Sequence, residues 1–234
     1  MVDFANLEKT LQDITKIVSE SNPNTQSLYD NLKDFYKKVA PIESNKLRTT
    51  INIGALTHNT QKRYTGEPFF AHPCRAAYIA GSLTGKADCV YINLLHDAIE
   101  DSESCDKTRW DIFQNLGLDI FLGVSGMGTL KNTPGPHEKA TIQYKRIQYF
   151  HNQHRINLEP TKIGDVWDNL LTVEHLPQTK ELNAAQRQDA YCQVARKYVL
   201  PMCKRFDTTH KNKKITPYFE NLLSTKERQI YINS

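Results

Sequence analysis

An all-α domain of about ten helices is predicted by three features of this 234-residue sequence. Apolar residues recur at spacings of three and four along most of the chain, the period of a helix with one buried face. No segment of useful length shows the alternation of a half-buried strand. The breaks between periodic segments carry proline, glycine or asparagine. No repeat, low-complexity tract or strong linker divides the chain, and its length suffices to bury one sizeable core.

The elements follow in order. Phe4, Leu7, Leu11, Ile14 and Ile17/Val18 predict a helix over 3–19, ended by Ser21-Asn22-Pro23-Asn24. Leu28, Leu32, Phe35, Tyr36 and Val39 predict a second over 26–39, stopping before Pro41. A third covers 43–60. The loop KRYTGEP comes next, punctuated by Gly66 and Pro68. Further helices are expected at 70–83, 88–101, 107–115, 117–130, 138–155, 160–176, 180–208 and 217–230. The segment Asn132–His137 reads as a loop, either a lid or a connector. Trp110, Phe150 and Trp167 are expected in the core.

Composition narrows the function. A net charge of +4 is mild; it demands no DNA or RNA partner and would not repel an anionic nucleotide. The basic run from Lys204 to Lys214 is expected to be a solvated helix end. Cysteines 74, 89, 105, 192 and 203 are odd in number and scattered. That argues against a disulfide framework or zinc ribbon, and for reduced thiols in a cytoplasmic setting. The N-terminal segment lacks the apolar core of a signal peptide. No apolar run approaches the roughly 20 residues that cross a bilayer, so no membrane partner is expected. A homo-oligomer stays open.

Three segments carry chemistry. In Leu94-Leu95-His96-Asp97-Ala98-Ile99-Glu100-Asp101, one continuous helix would gather His96, Asp97, Glu100 and Asp101 within an arc of about 140°. In Lys162–Thr172, Asp165, Asn169 and Thr172 form a polar stripe, while the apolar Ile163, Val166, Leu170 and Val173 lie together on another face. The remaining segment is Arg63–Pro73 with its histidine. Two histidines and two aspartates from distant segments make a candidate nitrogen–oxygen metal site. Imidazole and carboxylate suit Mn, Fe or Zn, and the lack of thiolate argues against structural zinc. Such a site, with a carboxylate beside it to handle water, suits hydrolysis of a phosphoanhydride or phosphoester.

The motifs RYTGEPFFAHP, LLHDAIEDS and KIGDVWDNLLT, in this order, resemble those of HD-type metal phosphohydrolases. More narrowly they are similar to the hydrolase domain of the RelA/SpoT family, including its small stand-alone members of the metazoan SpoT-homologue kind. The 24-residue step from His72 to His96 and the stretch FLGVSGMGTLKN agree with that layout. The resemblance covers roughly residues 45–208 as an HD hydrolase domain. It leaves 1–44 as an N-terminal helical extension and 209–234 as a basic C-terminal helical tail packed on the same domain. It implies metal ligation by His72, His96, Asp97 and Asp165, usually of Mn²⁺, with Glu100 and Asp101 assisting the attacking water. Arg63, Thr65, Asn169 and Thr172 match positions around a guanosine nucleotide substrate. The implied reaction removes the 3′-pyrophosphate of (p)ppGpp to give GDP or GTP. No synthetase domain fits between residue 208 and residue 234, so hydrolysis alone is expected.

Three positions depart from the pattern. Tyr64 stands where Lys is frequent, Val166 where Arg or Lys is frequent, and Asp168 where an aromatic residue or His is common. They leave the ligand set intact, and Tyr64 and Val166 motivate the first of two alternatives. The first is a phosphohydrolase acting on another nucleotide, such as the 2′-phosphate of NADPH. The other is a non-catalytic alarmone-binding module. Glu100 and Asp101 lie at the C-terminal end of their helix, where carboxylates oppose the dipole, which favours a site role over a solvated helix end. Arg63 suits bidentate pairing with phosphate or carboxylate. His58, His137, His151, His154, His175 and His210 have no comparable support, and His151/His154 reads as a surface pair.

Overall fold

The computed structural model describes residues 4–21, 26–128, 136–154, 156–179, 182–210 and 214–233. Helices follow one another without a named strand among the described residues. They are α1 (Phe4–Glu20), α2 (Gln26–Val39), α3 (Ser44–Thr57), α4 (Ala71–Thr84), α5 (Ala87–Leu95), the single turn α6 (Ala98–Asp101), α7 (Cys105–Leu116), α8 (Leu118–Met127), α9 (Pro136–His154), α10 (Glu159–Leu171), α11 (Ala184–Val194), α12 (Leu200–Thr209) and α13 (Thr216–Asn233). An isolated bridge between Lys62 and Pro68 closes the KRYTGEP loop, with Gly66 at φ +86° in the turn.

Helix α4 is the axis of the bundle. It is buried on nearly every side, as its sequence AHPCRAAYIAGSLT implies, and α1, α2, α5 and α10 pack around it. Its small residues let neighbours approach closely. A Cβ on Gly164 of α10 would lie 2.6 Å from the Ala76 carbonyl oxygen, so only glycine fits there. Gly81 is pressed in the same way by Val39 of α2 and Val90 of α5. The N-terminal pair adds a layer behind α4, burying Leu7, Leu11 and Ile14 of α1 and Leu28, Leu32 and Tyr36 of α2. At the other end α13 buries Phe219 and Leu223, with Phe219 edge-on to Trp167 of α10. Lys226 of α13 donates to the Leu171 carbonyl at 3.3 Å, a cation on the C-terminal end of α10.

Several expectations from the sequence are corrected. The helix expected over 88–101 is broken: His96 and Asp97 form a turn between α5 and α6, and the His96 Nδ1 lies 2.7 Å from the Asn93 carbonyl. The four ionisable groups therefore do not share one straight helix face. The helix expected over 160–176 ends at Leu171, so Thr172 stands just past it and leads into a 3₁₀ turn, Val173–His175. The helix expected over 180–208 is also interrupted. Ala195–Val199 is π-helical, and the Leu200 N–H reaches back five residues to the Ala195 carbonyl. Pro201 supplies the cause, since it has no N–H and its ring would crowd the carbonyl four residues earlier. Trp110 is 61% exposed, not core, and stands beside Phe113 on α7. Of the Asn132–His137 loop, residues 132–135 lie outside the described residues, as do 129–131, 155, 180, 181 and 211–213; Pro136 and His137 open α9.

The α4–α10 contact yields a test. Gly164→Ala is expected to cost about 1–3 kcal/mol, the penalty for overpacking a filled core. Gly128→Ala, whose added Cβ would meet nothing nearer than 3.7 Å, is expected to be close to neutral. Urea unfolding of the two variants separates them; equal stability would contradict the packing described.

Candidate metal centre

Three elements deliver four donors to one point. His72 comes from the first turn of α4, His96 and Asp97 from the α5–α6 turn, and Asp165 from the middle of α10. The two Nε2 atoms face each other at 3.2 Å. An Asp165 Oδ1 lies 3.3 Å from that of His72 and 3.6 Å from that of His96. An Asp97 Oδ2 lies 3.2 Å from His96 Nε2 and 3.8 Å from His72 Nε2. Metal–ligand bonds of about 2.0–2.2 Å put neighbouring donors about 2.8–3.6 Å apart, so these five spacings suit a shared cation; the donor atoms of His72, His96 and Asp97 all lie within 4.8 Å of one another, and Asp165 adjoins both imidazoles.

The hydrogen bonds fix which atoms are available. His96 Nδ1 sits on the Asn93 carbonyl, which can only accept, so Nδ1 carries a proton and the neutral ring keeps its lone pair on Nε2. His72 Nδ1 lies 2.7 Å from Asp168 Oδ2, which imposes the same tautomer. Two lone pairs and two carboxylates thus converge in a buried place. Burial alone would disfavour a charged His96, but Asp97 and Asp165 outweigh it and raise its pKa well above the ordinary value. Burial likewise opposes ionisation of Asp165, yet Lys162 and the two imidazoles hold it well below the usual carboxylate range. The donor set favours positive charge at its centre, and a divalent cation fits it.

Around the donors lies a second layer, of which the sequence revealed only Arg63, Asn169 and Thr172. Asp168 is fully buried; burial opposes its charge, but Arg75 and His72 hold its pKa low. Arg75 of α4 grips Asp168 through Nε at 2.6 Å and Nη2 at 3.0 Å. Its other bonds reach Glu67 and, on α1, Thr15. On the opposite side Asn169 donates to Asp165 at 2.7 Å, and Arg63 donates to Asn169 at 2.9 Å and Thr172 at 3.1 Å. Lys162 pairs with Asp165 at 2.8 Å. An arginine inside the otherwise small and apolar α4 was the one signal that could have exposed this layer. Asp168, read as a departure, is the partner that keeps His72 in register.

Glu100 and Asp101 follow on α6, partly buried beside the donors. Lys139 of α9 lies 3.5 Å from Glu100. Burial, then the charges of Asp97 and Glu100, push the Asp101 carboxyl up to about 6. Gln61 donates to the Asp101 carbonyl at 3.2 Å and accepts from His58 Nδ1 at 2.7 Å. His58, discounted from sequence, is buried and stacked on Phe69 within this surround, its Nε2 without a hydrogen-bond partner.

The four donors, Glu100 and Asp101 line one wall of a cavity of about 530 Å³. Lys62, Arg63, Lys139, Lys162 and Arg187 give it a basic lining, and Tyr144, Tyr191 and Tyr198 an aromatic one. Tyr64 stands 59% exposed at the rim with the Arg187 guanidinium 5.4 Å from its ring centre. Val166 is buried in the wall. Of the sequence-predicted residues, Arg63, Asn169 and Thr172 meet one another. Thr65 is exposed and touches only a small side pocket.

Asp101 allows a pH test on the metal-free protein. Its carboxyl ionises near 3.8 when unfolded and near 6 when folded, so its ionisation favours unfolding increasingly from pH 4 to 6 and fully above that. Asp101→Asn is therefore expected to raise the urea midpoint at pH 8 and to leave it unchanged at pH 3. A variant less stable than the parent at pH 8 would contradict this environment.

No family model matches the chain. Individual proteins do. A probable guanosine-3′,5′-bis(diphosphate) 3′-pyrophosphohydrolase of Mycoplasma genitalium is 30% identical over 172 residues, 69% of this chain and 24% of that protein. A guanosine-3′,5′-bis(diphosphate) 3′-pyrophosphohydrolase of Vibrio cholerae is 29% identical over 72% of this chain and 24% of its own length. A GTP pyrophosphokinase of Myxococcus xanthus is 26% identical over 60% of this chain and 19% of its own. The aligned part of the chain thus spans less than a quarter of each of these relatives. Over 60–72% of its length, the chain is similar to these pyrophosphohydrolase and pyrophosphokinase relatives, consistent with the RelA/SpoT resemblance of its motifs.

Proposed function

We propose that this chain is a metal-dependent hydrolase that removes the 3′-pyrophosphate of (p)ppGpp, releasing GDP or GTP. The observation that carries the proposal is the convergence of His72, His96, Asp97 and Asp165 on the wall of a basic cavity, with donor spacings of 3.2–3.8 Å. The names of the hydrolase relatives support the substrate. Residues 45–208 would form the catalytic unit, with 1–44 and 209–234 packed on it. Manganese is the metal that the resemblance favours, and a nitrogen–oxygen donor set without thiolate suits it. Five free cysteines suit a cytoplasmic setting.

The four donors would hold the ion, which supplies a Lewis acid and lowers the pKa of water. Glu100 and Asp101 stand beside it to orient the attacking water and accept its proton on a carboxylate oxygen. In the metal-free protein, burial and the Asp97 and Glu100 charges push the Asp101 carboxyl up to about 6, the direction that makes a carboxylate a better proton acceptor. Lys139 and Lys162 line the cavity and would take phosphate charge; Arg187 stands beside the exposed Tyr64, and Arg63 is held inside by Asn169 and Thr172. Asn169 would keep Asp165 oriented through its 2.7 Å bond.

Tyr64 favours a second reading. An exposed ring with the Arg187 guanidinium 5.4 Å from its centre offers a flat contact that any nucleobase could use, and a 2′-phosphate of NADPH would meet the same basic lining. One panel decides between them: pyrophosphate or phosphate release from ppGpp, pppGpp and NADPH by the Mn²⁺-loaded protein. Release of pyrophosphate from ppGpp is expected, and inertness toward it with turnover of NADPH would replace the first reading by the second. Inertness toward all three with tight ppGpp binding would instead make the chain a binding module. Asp97→Ala and Glu100→Ala are both expected to lower turnover by about 10²-fold or more, but only the first to release the metal.

A further inference from the structure

We propose that Arg75 is a positioning residue through which the N-terminal helix α1 sets the affinity of the metal centre. This rests on the reading of His72 as a metal ligand. Arg75 is buried, and every one of its five N–H groups has an acceptor. Nε donates to Asp168 Oδ1, Nη2 to Asp168 Oδ2 and Glu67 Oε1, and Nη1 to Glu67 Oε2 and Thr15 Oγ1, all between 2.6 and 3.0 Å. The Thr15 hydroxyl spends its own proton on the Leu11 carbonyl at 3.0 Å, so its lone pair is turned to Arg75. The guanidinium is thereby held by three separate elements: α1, the KRYTGEP loop and α10.

The consequence falls on His72. Asp168 accepts from its Nδ1, the arrangement by which a carboxylate orients a ligating imidazole and raises its basicity. Arg75 grips both oxygens of that carboxylate, so it fixes the plane in which His72 must lie. It also withdraws negative charge that Asp168 would otherwise press onto the ring. A lysine at position 75 would keep the charge but lose the fork that spans Asp168 and Glu67 together. Thr15 lies in the segment outside the RelA/SpoT resemblance, and its bond to Arg75 makes that segment part of the metal centre's support. Asp168 is also a position at which this chain departs from the family pattern, so the device is one this chain carries in its own residues.

Co²⁺ is the probe, because its visible absorption reports both binding and ligand geometry. In titrations of the full chain, Arg75→Lys is expected to weaken Co²⁺ binding by about 10-fold or more and to alter the visible bands of the loaded protein. Thr15→Val, which removes only the hydroxyl, is expected to act in the same direction by about twofold or more. Ile14→Val, on the buried face of the same helix, loosens α1 without touching the network and should leave affinity and spectrum at wild-type values. Wild-type affinity and spectrum in both Arg75→Lys and Thr15→Val would overturn the inference, as would an Ile14→Val shift as large as that of Thr15→Val. If Arg75→Lys does not fold, Thr15→Val decides alone. Failure of the unmodified chain to bind Co²⁺ at all, with His72→Ala indistinguishable from it, would instead overturn the metal reading on which the inference stands.

Discussion

Everything in this molecule that bears on chemistry depends on the placement of two imidazole lone pairs, 3.2 Å apart, between two carboxylates. Such an array is unfavourable by itself and persists because each group is held from behind. His96 is anchored by its own helix through the Asn93 carbonyl, and His72 by Asp168 from a different helix. Asp165 is held by Lys162 and Asn169. The array needs α4, α5 and α10 within a fixed separation, and the glycine at 164 is what lets α10 lie directly on the α4 backbone. Core packing and site geometry are one constraint here.

Charge is arranged in shells around that point. Carboxylates and imidazoles lie innermost. Arg75 sits behind them and Lys162 beside them at the cavity, each paired, so the buried ions are compensated rather than left bare. Farther out, Lys62, Lys139 and Arg187 face the cavity, where an anionic ligand would meet them. The α1 and α13 helices close the assembly from both ends, α1 through Thr15 and α13 through Lys226 on the end of α10. No helix among the described residues is long and apolar enough to cross a membrane.

The helical architecture was legible because its signal is local: Leu7, Leu11, Ile14 and Val18 at helical spacing are buried on one face of α1 as their period requires. The convergence of His72, His96, Asp97 and Asp165 was legible only through motif order, since nothing in spacing alone states that residues 96 and 165 are neighbours. The break at His96–Asp97 escaped detection because no proline or glycine marks it; there the His96 side chain bonds the Asn93 carbonyl. The interruption at Ala195–Val199 had a visible cause in Pro201, but apolar period continued through it. Arg75, Asp168 and His58 were hidden for a common reason. Each is a polar residue whose partners lie on other elements, and burial of such pairs is a tertiary event. Trp110 erred in the opposite sense, an aromatic residue taken for core that stands on the surface.

The most direct measurement is anomalous diffraction at the manganese edge from crystals of the Mn²⁺-loaded protein. One strong peak is expected within about 2.0–2.4 Å of His72 Nε2, His96 Nε2 and a carboxylate oxygen each of Asp97 and Asp165. A protein that crystallises with intact His72–Asp168 and His96–Asn93 hydrogen bonds yet shows no peak there, or binds manganese elsewhere, would contradict the account.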